Sequence, residues 1–511
     1  MKPLLFRVGT MPRSVASGMA GVSGDDGSRV GTDPPKVLQS DRKTVPNMTT
    51  RYKGKAMIDK VKAWWALDEA AEAETVDNPF APLRPDQRQD TLPMLTLAFG
   101  WGFLITGLLT GGQLGAGVAF WPDLIAASFI GNLINFTIGG LVAYIGYKTA
   151  CNSGLLYQFV YGRIGVFLPV IFLALLTTGW QAIVVGAFGF AWAQDFDSPT
   201  FYAVAIFGGL LFTVTTYYGV KGIERVSIPS VAILVLVGLY AIYLNVDQAG
   251  GGSAFLALSR DTAAENPISF VTAVNLVVGS WIVGAVVMAE YTRFAKKVWV
   301  ALAIPFIVMI IAQWFLQIVG ALGGVVSGSA DFTTYLLQQG MIVGGIGLIG
   351  MSLALWTTGD ANLYLPVIQT SAVFKRPKRV MVVIWGVLGT ILGLGLYQYF
   401  LDWINLLAAL VPPLIGPLVV DYYIVHKRKY DTNDLKRLHT WNWAAVLSYA
   451  IGAFIAYGVT YGLLDLPEIL IPSLLGLVVS MVAYAVIYFV AAAMNKKVGY
   501  ASVATEQSPA E

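Results

Sequence analysis

The sequence predicts an all-α polytopic membrane protein with twelve transmembrane helices. Three observations carry that prediction. Hydrophobic residues make up 56% of the 511 and charged residues only 12%, about half the charged share of a soluble domain. From Leu92 onward the apolar residues fall in continuous runs, many long enough to cross a bilayer as helices and not alternating as barrel strands do. Lys and Arg then gather on every second connection between those runs, as the positive-inside rule requires.

Residues 1–90 form a polar segment expected in the cytoplasm. The start carries basic residues without the apolar core of a signal peptide. Gly, Ser, Asp and Pro dominate 1–50, a composition that predicts disorder, and Met48 or Met57 offers an alternative start. Residues 57–74, with Trp64 and Trp65, read either as an interfacial helix or as an ordinary solvated one.

The apolar runs follow at 92–119, 122–147, 165–193, 199–219, 227–245, 268–290, 298–325, 339–367, 380–397, 400–424, 442–463 and 469–494. With a cytoplasmic N-terminus, the inner connections and the tail (496–511) hold 18 Lys and Arg, and the outer ones hold only Arg260. An error of one span would destroy this alternation, so both termini are expected in the cytoplasm of a cell bounded by this inner (plasma) membrane. The outer connection near 246–266, with Gly250-Gly251-Gly252, reads as flexible.

Two runs carry glycine beside tryptophan in an otherwise apolar setting: Gly100-Trp101-Gly102 in span 1 and Gly279-Ser280-Trp281 in span 6. Glycine lets a helix unwind, and unwound backbone at that depth is tolerated beside a cavity. The competing reading is that these glycines only permit close helix packing. Their five-span separation is odd, so a duplicated second copy would be inverted. Repeat 1 would cover 91–245 and repeat 2 would cover 266–425, with spans 11 and 12 (441–495) outside. Paired broken helices in inverted repeats point to a secondary transporter with a midplane site.

The remaining intramembrane polar groups sit in span 3 (Thr177-Thr178-Gly179-Trp180-Gln181) and span 8 (Trp356 to Asn362). Trp180 and Trp281 can stack on the faces of a planar ring, with Gln181 and Ser280 at its edge. Thr357 and Thr358 offer hard oxygens to a small cation, together with carbonyls of the unwound part of span 1. Their alternative is back-bonding to their own helix. Glu290, Asp123 and Asp421, near span ends, read as solvated charges, with Glu290 and Arg293 as a local helical pair.

Several functions are excluded. A net charge of +3 gives no sign of nucleic-acid binding, and the lone Cys151 excludes an internal disulfide. His426 and His439 share one polar connection, so no histidine metal site or catalytic triad lies within the membrane. There is no glycine-rich phosphate loop, so a gradient must drive transport. No enzyme activity, cofactor or obligatory protein partner is expected beyond the lipid bilayer.

The ordered motifs resemble the nucleobase–cation symporter-1 family (the purine–cytosine permeases), most closely its bacterial cytosine permease branch. They are Thr110 to Gly117, Gly131-Asn132, Tyr144 to Thr149, Gly179-Trp180, Gly279-Ser280-Trp281, Glu290 to Phe294, Trp356 to Asp360, Pro412 to Gly416 and Asp421-Tyr422. The resemblance implies a LeuT-type fold of two inverted five-helix repeats plus two further helices, with helices 1 and 6 broken. It implies alternating access, spans 1, 2, 6 and 7 moving against spans 3, 4, 8 and 9. Trp180 and Trp281 would clamp the ring, Gly279 and Ser280 would meet its edge, and Asp360 and Asn362 would lie near it. A sodium site would draw on Trp101, Gly102, the Ala354 carbonyl, Thr357 and Thr358, which favours the cation reading of the threonines.

Three departures bear on substrate. The hydantoin-carrying branch has a glutamine where this chain has Val184, and an asparagine where it has Leu363, with Asn362 alongside. Gly359 precedes Asp360 where cytosine permease-like sequences often have asparagine. The expected function is symport of a nucleobase or related heterocycle, cytosine first, with Na+ or H+ as coupling ion. Allantoin, hydantoins, purines, uracil or another small nitrogenous solute, an amino-acid carrier of the same fold, and a membrane sensor are the alternatives.

Overall fold

Each of the twelve apolar runs is helical. The computed structural model describes residues 65–66 and 78–500, apart from 219 and 328–330. The chain divides into Met1–Asp59, which lies outside the described residues, and Lys60–Glu511. The expected disorder of 1–50 and all but two residues of the interfacial helix at 57–74 also lie outside them.

Span 1 is a broken helix, Thr91–Gly102 and Thr106–Gly115, bent by 41°. Phe120–Thr149, Phe167–Ala193, Pro199–Tyr217, Phe270–Thr292, Val298–Ser327, Met341–Phe374, Leu396–Val425, Trp443–Thr460 and Pro472–Ala493 form spans 2, 3, 4, 6, 7, 8, 10, 11 and 12. These nine and the broken pair are long and apolar enough to cross a membrane among the described residues. The fifth run lies in Val220–Gln248 and the ninth in Lys378–Gly393, a helix of 16 residues.

Local chemistry sets the helix starts. Ser198 accepts from Thr200 N with Pro199 in the first turn, Ser269 accepts from Thr272 N, and Asn442 accepts from Ala444 N. These side chains satisfy amides that the first turn leaves free. Small residues then bring spans together. A Cβ on Gly111 or Gly115 would collide with the carbonyls of Gln317 or Ala321, and one on Gly320 with that of Leu108. The second half of span 1 thus lies backbone to backbone against span 7, as small-residue faces allow.

The chain before span 1 is tied to one end of the bundle. Arg293 Nη1 donates to the Asn78 carbonyl at 2.9 Å, Arg88 Nη2 to that of Tyr147 at 2.9 Å, and Gln89 N to that of Phe294 at 2.7 Å.

Three expectations need correction. Span 6 is helical through Gly279-Ser280-Trp281 and is interrupted later, at Val287 and Met288. Gly279 serves close packing there, because its missing Cβ leaves room for the Ile404 carbonyl of span 10. The connection near 246–266 is not a flexible loop. Gly250 and Gly251 turn the chain at φ 86° and 104°, and Gly252–Glu265 is a helix, as its alanine and leucine content favours. Glu290 and Asp421 are buried, not solvated. Glu290 accepts from Ser153 N at 3.1 Å. Asp421 accepts from Tyr484 at 2.7 Å and from Tyr430 at 2.5 Å. Asp123 is exposed, as expected.

Candidate functional site

The break in span 1, the middle of span 6 and the centres of spans 3 and 8 meet around one small cavity of about 30 Å³. Trp101, Leu104 and Thr106 line it from span 1, Thr177 and Trp180 from span 3, Ser280, Trp281, Val283 and Gly284 from span 6, and Asn362 and Leu365 from span 8. That volume holds about one water molecule, so a heterocycle enters only if the walls part.

Trp180 and Trp281, expected to face each other, line this cavity from opposite helices, and both are buried. Trp180 meets Phe400 edge to face, with ring centroids 6.0 Å apart. Trp281 meets Trp101 in the same manner at 5.1 Å, and Trp101 lies against Tyr291 at 4.0 Å. A Cβ on Gly284 would strike the Trp281 ring, so that glycine makes room for the indole. The Trp281 Nε1 donates to Thr106 Oγ1 at 3.1 Å.

The polar candidates divide. Ser280 lines the cavity, with its hydroxyl donating to the Val277 carbonyl at 2.7 Å. Asn362 lines it too, and its Nδ2 has no partner among the described residues. Leu363 packs with Val380, Val382 and Trp385 of span 9, so at this place on span 8 asparagine faces the cavity one residue earlier. Gln181 is outside the lining and packs on Gly389 of span 9. Gly279 is outside it as well, against Ile404.

Asp360 faces span 4, where its Oδ1 accepts from Thr215 at 2.5 Å and Thr216 at 3.3 Å. It does not line the cavity. Trp356 Nε1 extends the cluster to Thr215 at 3.1 Å. The glycine before Asp360 also has a physical reason, since a Cβ on Gly359 would strike the Phe212 ring of span 4.

Around the break in span 1, the expected cation ligands come together, but their oxygens have partners. Thr357 and Thr358 both donate to the Ala354 carbonyl, at 3.0 and 2.8 Å, which is the back-bonding alternative. Thr358 Oγ1 also accepts from Ile105 N at 3.1 Å, so span 8 touches the break itself. The Gly102 carbonyl accepts from Gln313 Nε2 at 2.6 Å, and that of Leu104 accepts from the same nitrogen at 3.2 Å. Trp101 stands one residue before the end of the first helix of span 1 and lines the cavity. Neutral hydroxyl and carbonyl oxygens suit a hard monovalent cation in chemical type.

Sequence reading passed over Gln313 and Asn135. Gln313 closes a π-helical stretch of span 7, Phe306–Gln313, and such stretches gather at functional places. Asn135 of span 2 donates to the carbonyls of Val277 and Val278 at 3.2 and 3.1 Å. The signal that marks both is a polar side chain at the centre of an apolar run.

A family model for permeases of cytosine/purines, uracil, thiamine and allantoin matches residues 84–487. The cytosine permease of Escherichia coli (strain K12) is 30% identical over 380 residues, 74% of this chain and 88% of its own length. The hydantoin permease of Microbacterium maritypicum is 24% identical over 435 residues, covering 76% and 85%. Among solved structures, the fold is similar to that of a nucleobase-cation-symport-1 family transporter in a closed conformation with bromovinylhydantoin bound. That match has a TM-score of 0.67 at 20% identity and covers 81% of this chain and 95% of that one. A Na+-coupled sialic acid symporter follows with a TM-score of 0.55 at 12% identity, covering 79% and 91%. The LeuT-type fold expected from the motifs is the fold of this chain.

Proposed function

The chain belongs to the family of permeases for cytosine/purines, uracil, thiamine and allantoin, and we propose that it imports a planar nucleobase-like heterocycle, cytosine first, by cation symport. The observation that carries this reading is the meeting of Trp180 and Trp281 at one cavity with Ser280 and Asn362 beside them. Indole faces bind any flat ring, and the serine hydroxyl and asparagine amide read its edge.

The cavity lies between the two parts expected to move. Trp101 and Trp281 belong to spans 1 and 6, Trp180 and Asn362 to spans 3 and 8. Rocking one pair against the other opens the contracted cavity to one side of the membrane and then to the other. The coupling ion, Na+ or H+, comes from a gradient. For Na+ the residues at the break in span 1 are the candidates: Trp101, Gly102, Ala354, Thr357 and Thr358. For H+ the candidate is the Asp360 cluster, which lies on the scaffold side, away from the ring. We read the basic connections as cytoplasmic, with both termini inside a cell whose plasma membrane holds the protein.

The test is a binding screen with purified protein, read by tryptophan fluorescence. Cytosine, uracil, purines, allantoin and hydantoins are each titrated with and without sodium. Quenching by cytosine ahead of the others, and tighter with sodium or at lower pH, is expected. Failure of every planar ring to bind would overturn the reading. Hydantoin ahead of cytosine would assign the second substrate, which Asn362 on the cavity wall favours.

A further inference from the structure

Far from the ring site, the span 10–11 connection and the chain after span 12 border a half-open cavity of about 1440 Å³. Its wall carries Lys427, Lys429, Arg437, Lys496 and Lys497, against the carboxylates of Asp431 and Asp434. Both acids are engaged within the fold. Asp431 Oδ1 accepts from Asn433 N at 2.9 Å, and Asp434 Oδ2 accepts from the Tyr500 hydroxyl at 2.8 Å. Among the described residues Lys427, Lys429, Arg437 and Lys496 form no ion pair.

The backbone is shaped to hold this arrangement. Lys427 and Arg428 sit at φ 49° and 67°, a left-handed pair that costs free energy for side chains of this size. Arg428 N donates to the Tyr422 carbonyl at 2.7 Å, and its guanidinium lies 5.8 Å from the centre of the Tyr423 ring. The turn therefore draws Arg428 away while Lys427 and Lys429 stay on the cavity wall. Trp441, also on the wall, has a buried Nε1 donor with no acceptor among the described residues.

We infer that this cavity binds a phosphate-bearing anion, supplied by the headgroup of an acidic phospholipid. Excess cationic side chains and a spare indole N–H match phosphate oxygens in charge and in hydrogen bonding. The place favours a lipid as the source. Trp441 and Trp443 stand at the start of span 11, and Ala492 and Asn495 at the end of span 12, where these helices leave the bilayer and tryptophan settles at headgroup depth. Basic pockets of this kind at helix ends take acidic headgroups.

The test uses the full chain, purified and stripped of lipid, and reads thermal unfolding. Phosphatidylglycerol, phosphatidylcholine and glycerol 3-phosphate are added separately to the parent and to a variant carrying Lys427→Ala, Lys429→Ala and Lys496→Ala. Phosphatidylglycerol is expected to raise the melting temperature of the parent, and phosphatidylcholine to leave it unchanged. The alanine variant, with an unaltered lipid-free melting temperature, is expected to lose the shift, and arginine at the same three positions to restore it. A matching shift from glycerol 3-phosphate supports the phosphate site and assigns it to a soluble ligand. Equal shifts from the two lipids, or a full phosphatidylglycerol shift in the alanine variant, would overturn the inference. Uptake is not measured, so the outcome is independent of the transport reading.

Discussion

The side-chain nitrogen of Gln313 lies 2.6 Å from the Gly102 carbonyl and 3.2 Å from that of Leu104, so one amide from span 7 holds the last carbonyl before the break in span 1 and one within it. Its oxygen accepts from Thr106 at 3.4 Å, and Thr106 in turn accepts from Trp281. The break and the ring-stacking tryptophan are therefore linked through three side chains. Removing a partner from a buried carbonyl costs about 1–3 kcal/mol. Gln313→Ala is expected to lower stability by about 2 kcal/mol and to weaken uptake, measured by thermal unfolding and radiolabelled substrate. Gln313→Glu, which turns an oxygen toward the same carbonyls, is expected to do worse. Parent-like stability in both variants would show that the break holds itself.

Trp180→Ala and Trp281→Ala are each expected to abolish uptake while the protein still reaches the membrane. Each substitution removes one wall of a cavity lined by both rings. Trp281→Phe separates stacking from hydrogen bonding, because it keeps a ring but loses the donor to Thr106. Partial uptake is expected there. Normal uptake by both alanine variants would remove the aromatic clamp from the mechanism.

The tryptophans were legible because a large ring beside glycine stands out in an apolar run, and the motif order gave each its place. Gln313 was not legible in the same way. Its value depends on two carbonyls 211 and 209 residues away, which are exposed to it only because span 1 breaks at Phe103 to Ile105. Gly279 misled for a related reason. Unwinding and close packing both call for glycine, and only the Ile404 carbonyl opposite decides between them. Glu290 and Asp421 looked solvated because charge near a span end says nothing about the elements that fold over it. Ser153 reaches Glu290 from the start of the helix Ser153–Tyr161 that follows span 2, and Tyr484 reaches Asp421 from span 12.

Gly279→Ala tests that packing role. A methyl group there meets the backbone of Ile404 rather than a flexible side chain, and overpacking of this kind costs about 1–3 kcal/mol. A lower melting temperature is expected, with substrate affinity in the surviving protein close to that of the parent. An affinity loss at unchanged stability would return Gly279 to the ring edge.

Thr358→Ala removes the hydroxyl that accepts from Ile105 N at the break. Uptake is expected to need more sodium for half-saturation, and Thr358→Ser to restore the parent curve. Asp360→Asn is the matching probe of proton coupling, since Asp360 lies with Thr215 and Thr216 away from that break. A sodium curve unchanged in Thr358→Ala, with the pH dependence of uptake lost in Asp360→Asn, would assign coupling to protons.

His426 supplies a pH dependence of stability outside the spans. Its Nδ1 lies 3.1 Å from the Asp421 carboxylate and 3.0 Å from the Asp421 carbonyl, and its Nε2 lies 2.9 Å from the Tyr500 carbonyl. Burial alone pulls the imidazole down. The hydrogen bond and charge of Asp421, with the two carbonyls, outweigh burial and hold it above its ordinary 6.5. A group raised in the folded state adds stability that is fully present below its unfolded value and lost as pH rises through the folded one. The melting temperature is therefore expected to fall as pH rises from about 6 to about 8, the range in which histidine titrates. In His426→Gln, which keeps a donor but carries no proton charge, the slope over that window is expected to flatten. An identical slope in parent and variant would place the titrating group elsewhere.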